Sequence, residues 1–161
     1  MIKLKQIKGK EFVKKVLQGE RDFSRIRLED RFNLGGYKDF EEMQEYLKNQ
    51  DLSINPVIIE YSYFKYLKAT GLYLPFVKGK GVHFYASNLH NVNFRKAEFP
   101  NSAFYASFLI KTDLTEANLS WASFYRSKLD QTDFSGADIR QANFFRASNT
   151  KKAIFKDVRK I

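Results

Sequence analysis

The feature that most constrains this chain is a five-residue period. From Asn55 the sequence divides into fives without a gap: NPVII EYSYF KYLKA TGLYL PFVKG KGVHF YASNL HNVNF RKAEF PNSAF YASFL IKTDL TEANL SWASF YRSKL DQTDF SGADI RQANF FRASN TKKAI. Of these twenty pentads, 17 carry a large apolar residue at the fifth position, the exceptions being Ala69, Gly79 and Asn149. The third position is small or aliphatic in 19, with Lys152 the exception. A helix repeats about every 3.6 residues and a strand about every 2, so neither yields this pattern. The chain must turn a corner every five residues.

One large and one small inward residue per pentad fit a narrow square tube, the large side chain filling the centre and the small one tucked behind it. Four sides make a coil, so a period of twenty should overlie the five. Phe64, Phe84, Phe104, Phe124 and Phe144 lie twenty apart and are expected to stack on one side as a core ladder. The segments FYASNL (84–89), FYASFL (104–109), FYRSKL (124–129) and FFRASN (144–149) show the same unit.

The pentads TEANL, SGADI and RQANF match the A-(D/N)-L-x-x consensus, and the chain resembles the pentapeptide-repeat family. GERDF at 19–23, after a short helix, is similar to the opening of such proteins. The resemblance covers about residues 19–154 and is strong from Val82 to Phe144. It implies a mainly β fold, a right-handed quadrilateral β-helix of about five coils stacked at the ~4.8 Å spacing of paired strands. Before residue 82, Leu67, Leu72 and Val77 are larger than the usual small residue, which leaves the geometry of the early coils open.

A solenoid needs capped ends. Residues 10–18 place Phe12, Val13, Val16 and Leu17 on one helical face before Gly19, a natural stop, so 1–18 is read as an N-terminal cap. Phe23 and Leu28 then point inward, and the repeat breaks at 29–54. Inside that insertion, residues 39–49 read as a helix with Asp39 and Glu42 at capping-box spacing and Phe40, Met43 and Leu47 on one face. Asn55-Pro56 would also start a helix over 55–70. The β-branched and aromatic run Val57, Ile58, Ile59, Tyr61, Tyr63, Phe64 and the unbroken phase favour strand. Residues 155–161 read as a short cap or a loose basic tail. The whole of 19–154 is thus one solenoid domain.

Composition narrows the chemistry. The 161 residues include no cysteine and two histidines, which excludes disulfides, thiolate sites and a multi-histidine metal cluster. No apolar run approaches the roughly 20 residues of a membrane helix, and the basic N-terminus lacks the apolar core of a signal peptide, so a soluble cytoplasmic protein is expected. No catalytic constellation is found, so no enzyme activity and no cofactor are expected. His83 and His90 flank inward positions and read as solvated surface residues. Asp113, Asp133 and Asp138 occupy the outward D/N position, where a side chain serves local turn bonds; a cation site is the rival reading. KGKG at 78–81 lacks phosphate-loop spacing, and Gly79 and Gly81 are read as corner residues.

One outward pattern stands above background. Tyr85, Tyr105, Tyr125 and Phe145 follow the stacked phenylalanines, and Arg126 and Arg146 come next in the last two repeats. Like charges on adjacent coils repel unless an acid, a phosphate or a partner relieves them. This ladder either stiffens the sheet, contacts a protein partner or a second copy in a dimer, or holds single-stranded nucleic acid. Residues 1–54 hold 12 basic and 10 acidic side chains, whereas 55–161 hold 16 and 8, so the charge of +10 lies mostly on the solenoid. The best-known role in the family is protection of a topoisomerase by an acidic rod that mimics DNA, and a basic rod has the wrong sign for it. The leading expectation is a non-enzymatic module that binds a protein through a solenoid face. The alternative is a binder of polyanions, nucleic acid or an anionic surface, weakened because the basic residues are spread over all faces.

Overall fold

The computed structural model describes residues 3–160. Its elements are strand β1 (Lys5–Ile7), helix α1 (Gly9–Leu17), strand β2 (Ile26–Leu28), helix α2 (Phe40–Lys48), strands β3 (Tyr63–Lys65) and β4 (His83–Tyr85), and a 3-10 turn at Thr150–Lys152. The strands form one parallel sheet in chain order. The same pairing continues as single-residue pairs twenty positions apart, such as Asn88 with Phe108, Asn93 with Asp113 and Ser123 with Asn143. Parallel strands need a long connection between them. Here the connection is the rest of each coil, and the fold is a β-helix.

Four short rows of residues recur in each coil. Their outward residues are Tyr63, His83, Ala103, Ser123 and Asn143 in the first row, and Lys68, Asn88, Phe108, Lys128 and Ser148 in the second. The third row presents Tyr73, Asn93, Asp113 and Asp133, and the fourth Ile58, Lys78, Glu98, Asn118 and Asp138. Between rows the chain makes a turn closed by an N–H to a carbonyl three residues back, as from Ala97 to Phe94 at 3.0 Å. The second corner residue has positive φ, as in Lys96 (57°), Glu116 (59°) and Trp121 (61°), the sign a type II turn requires. The next N–H, on the first corner residue, is taken by the outward Asn or Asp two positions before it. Asn88, Asn93, Asp113, Asn118, Asp133, Asp138 and Asn143 all accept in this way. The consensus D/N is therefore a backbone-satisfying group.

Phe64, Phe84, Phe104, Phe124 and Phe144 stack inside, with successive ring centroids 5.2, 5.4, 5.0 and 5.0 Å apart. The first four are buried and Phe144, in the last coil, is half-buried. Third-position hydroxyls bond across coils, Ser87 donating to the Phe64 carbonyl at 3.0 Å and Ser107 to that of Phe84 at 2.9 Å. The early coils keep this pairing. Their larger third residues Leu67, Leu72 and Val77 are all buried, two of them in pentads with a smaller fifth residue, Ala69 and Gly79. Gly79 is thus an inward position and not a corner: a Cβ there would lie 2.5 Å from the Phe99 ring, which fills its place. Gly81, with φ of 62°, is the corner.

At the N-terminal end Phe12 of α1 packs on inward Phe23, ring centroids 4.7 Å apart. The sequence reading missed β1, which extends the first row by pairing with β2. The break does not start at 29. Asn33 still pairs with Lys68, and Leu34 is buried one residue out of phase, so the insertion occupies 35–54. Residues 55–70 are strand-like rather than helical. Within the insertion α2 buries Phe40, Met43 and Leu47, but Asp39 makes no side-chain cap, so the capping box does not form. Gln44, also buried, accepts the Tyr73 N–H at 2.5 Å. The helix stands where the third row of that coil would run. An apolar cavity of about 30 Å³ lies beneath it, lined by Phe12, Met43, Leu47, Leu67, Leu72 and Phe94 among others.

At the other end one extra residue enters at the 3-10 turn, and the pairs Asp133 with Ile154 and Asp138 with Arg159 are 21 positions apart. Ile154 is consequently outward and 46% exposed, while Phe155 stacks on Phe134 at 4.9 Å. Phe155 and Val158 pack against the core, so the coil continues beyond 154 and 155–159 is no tail. Residue 161 lies outside the described residues.

Candidate functional site

The aromatic ladder runs along the corner between the first and second rows. Tyr85 and Tyr105 stack at 5.1 Å with planes 6° apart, Tyr105 and Tyr125 at 5.3 Å and 22°, and Tyr125 and Phe145 at 5.9 Å and 32°. Coil spacing sets this stacking, because side chains at one corner recur at the distance of paired strands, close to ring contact. Arg126 and Arg146 occupy the positive-φ position beside them. Each guanidinium lies over the ring of its own coil, 5.3 Å from the centroids of Tyr125 and Phe145 respectively. Each also donates to the tyrosine hydroxyl one coil earlier, Arg126 to Tyr105 at 3.5 Å and Arg146 to Tyr125 at 3.2 Å. The ring quadrupoles and hydroxyls, rather than an acid, accommodate the two like charges. Among the described residues neither arginine forms a salt bridge.

The spread of basic residues over all faces is only half of the charge pattern, for the acids are segregated. None of the eight acids in residues 55–161 lies in the first row, the second row or the corner joining them, whereas five of the sixteen cations do. Elsewhere acids and bases pair, as Glu116 does with Arg95 and Lys96, and Asp138 with Arg140. The hydrogen bond from Arg140 holds the Asp138 carboxyl below the usual carboxylate range.

The other candidates behave differently. His83 is not a freely solvated residue: its ring stacks on Tyr63 at 4.4 Å and is half-buried, and that desolvation pushes its pKa down. His90 lies at the corner that follows the second row, whereas His83 stands in the first row, so the two imidazoles are not brought together. Asp113 and Asp133 stand a coil apart, each bonded to its own corner. Among the described residues no group of three His, Cys, Asp or Glu side chains is placed to hold a metal ion.

Residues 78–155 match the family described as pentapeptide repeat region. The chain belongs to the pentapeptide-repeat family. Solved pentapeptide-repeat structures similar to it include one from the Arabidopsis thaliana thylakoid lumen, at 23% identity and a TM-score of 0.49, covering 56% of this chain and 59% of that one. This pentapeptide-repeat chain therefore spans little more than half the length of that protein. Another is from the cyanobacterium Cyanothece 51142, at 14% identity and a TM-score of 0.27, covering 97% and 87%. A third is HetL of Nostoc sp. strain PCC 7120, described as involved in regulating heterocyst differentiation, at 12% identity and a TM-score of 0.24, covering 93% of each chain. No curated protein sequence matches. Among the described residues, no helix of this pentapeptide-repeat protein is long and apolar enough to cross a membrane.

Proposed function

We propose that the protein is a non-enzymatic interaction module of the cytoplasm, a right-handed quadrilateral solenoid of about five coils that binds a protein partner through its aromatic–arginine edge. The observation that carries this reading is the edge itself: stacked Tyr85, Tyr105, Tyr125 and Phe145 flanked by Arg126 and Arg146, with Phe145 63% exposed. Aromatic and arginine side chains are the usual anchors of protein interfaces, and rings already stacked lose little entropy on binding. A second reading, a polyanion binder, is favoured by the absence of acids from the same face. Mimicry of DNA is disfavoured by the +10 charge.

The test places a photo-crosslinking residue at Tyr105 and irradiates the protein in an extract of its own cells. A discrete protein adduct that is lost in Arg126→Glu, and is not formed from the same probe at Asn93 on the third row, supports the reading. Adducts of equal yield from both sites would refute it. Light scattering of the purified protein separates a self-partner from a foreign one.

A further inference from the structure

The edge reading leaves the partner's chemistry open, and the arrangement of charge along the face narrows it. Resting on that reading, we infer that the face binds an extended acidic polypeptide segment, laid along the solenoid axis, with apolar residues between two acidic clusters.

The cations are not evenly spaced. Lys65 and Lys68 stand on the first full coil, and Arg126, Lys128 and Arg146 on the two that end the ladder. The two coils between them present His83, Tyr85, Asn88, Ala103, Tyr105 and Phe108, with no Asp, Glu, Lys or Arg in the first and second rows or their shared corner. The polar pair is His83, half-buried against Tyr63, and Asn88, whose side chain is held by its own corner. Phe108 is 39% and Tyr85 41% exposed. A centre free of acids, lysines and arginines, rich in aromatic side chains and flanked by charged ends, is the anatomy of a protein interface. A nucleic-acid strand, evenly charged, would match an even row of cations. The tyrosine faces also argue against bases: they are consumed by stacking on one another, so the ladder offers edges and hydroxyls where a single strand needs open ring faces. None of the five cations forms a salt bridge among the described residues. The acid-free stretch starts at β3, since Asp30 one coil earlier pairs with Arg27 at 3.6 Å.

The spacing gives a length. Three to four coil steps of ~4.8 Å separate the cation clusters, and at ~3.3 Å per extended residue the acidic groups of the ligand lie about four to six residues apart.

A displayed library of random 16-residue peptides, selected on the whole immobilised protein, tests this. The expected winners carry two acidic clusters about four to six residues apart around an apolar or aromatic centre. Their affinity should fall at least tenfold in Arg126→Glu with Arg146→Glu, and also in Tyr85→Ser with Tyr105→Ser, and stay within twofold in Lys78→Glu on the fourth row. Circular dichroism of each variant checks the fold. Winners without acidic enrichment, no winners, or affinity indifferent to the tyrosine pair would overturn the inference. A thymidine 20-mer bound more tightly than any selected peptide would overturn it in favour of nucleic acid. Protein adducts at Tyr105 together with a featureless selection would leave the interaction reading standing and remove this partner class alone.

Discussion

Truncating Phe124 tests the tube more severely than any surface change. Its ring is 0% exposed, stacked between Phe104 and Phe144 at 5.0 Å on each side and edge-on to Phe134 at 5.4 Å. Phe→Ala in a core costs about 3–5 kcal/mol, and the position within that range depends on how far the surroundings collapse. Here the wall is pinned on both sides, Phe124 N–H to the Asn143 carbonyl at 2.8 Å and Ser123 N–H to that of Ser102 at 2.8 Å. The cavity therefore stays open, and Phe124→Ala should cost about 4–5 kcal/mol, a drop in Tm of roughly 10 °C or more. Phe144→Ala, at the half-buried end of the same ladder, should cost about half as much. Phe124→Leu, which supplies a side chain used at many inward positions, should cost under about 1.5 kcal/mol. Urea unfolding followed by both circular dichroism and tyrosine fluorescence gives the values and detects loss of cooperativity, a known weakness of repeat arrays. A cost below about 2 kcal/mol for Phe124→Ala, or equal costs at 124 and 144, would refute the stacked register.

Three further changes probe features particular to this chain. Gln44→Met keeps the volume but removes the acceptor of the Tyr73 N–H, and urea unfolding should show a loss of about 1–3 kcal/mol. Gly79→Ala forces a Cβ against Phe99 and should cost about 1–3 kcal/mol, with Phe99→Leu restoring part of it; an unchanged midpoint would mean that the ring does not occupy that space. His83 is depressed by burial, so the native state binds fewer protons than the unfolded one. Its contribution is full above the unfolded pKa of about 6.5 and is lost as pH falls through the lower folded value. Tm measured from pH 7.5 downward should therefore fall more steeply for the parent than for His83→Phe, which keeps the stack on Tyr63 without titrating.

Much of this fold was legible in the residues because inward positions recur at a fixed interval. The phenylalanine ladder, the D/N corner role and the phase of Tyr85, Tyr105, Tyr125 and Phe145 all follow from periods of five and twenty. Where the five-residue phase failed, one residue had been added: before Leu34 and again at the 3-10 turn after Asn149, a single extra position moved Leu34 and Phe155 inward and Ile154 outward. A pentad count cannot see such a slip, since Ile154 and Phe155 are equally apolar. Only packing selects Phe155, whose ring continues the Phe134 stack.

The tertiary structure also decided everything that joins coils or replaces them. Gln44 has no periodic signal, yet it supplies the acceptor a missing row would have offered to Tyr73. Arg126 and Arg146 read as mutually repulsive along the chain, and become compatible once each reaches the hydroxyl one coil earlier. The acid-free face is likewise invisible in a linear charge count, because its residues come from five separate stretches of chain. Sequence period determines which side of the wall a residue faces, for that depends on the local backbone alone. Which residues become neighbours across twenty positions, and what they do to one another's charge, depends on closing the coil.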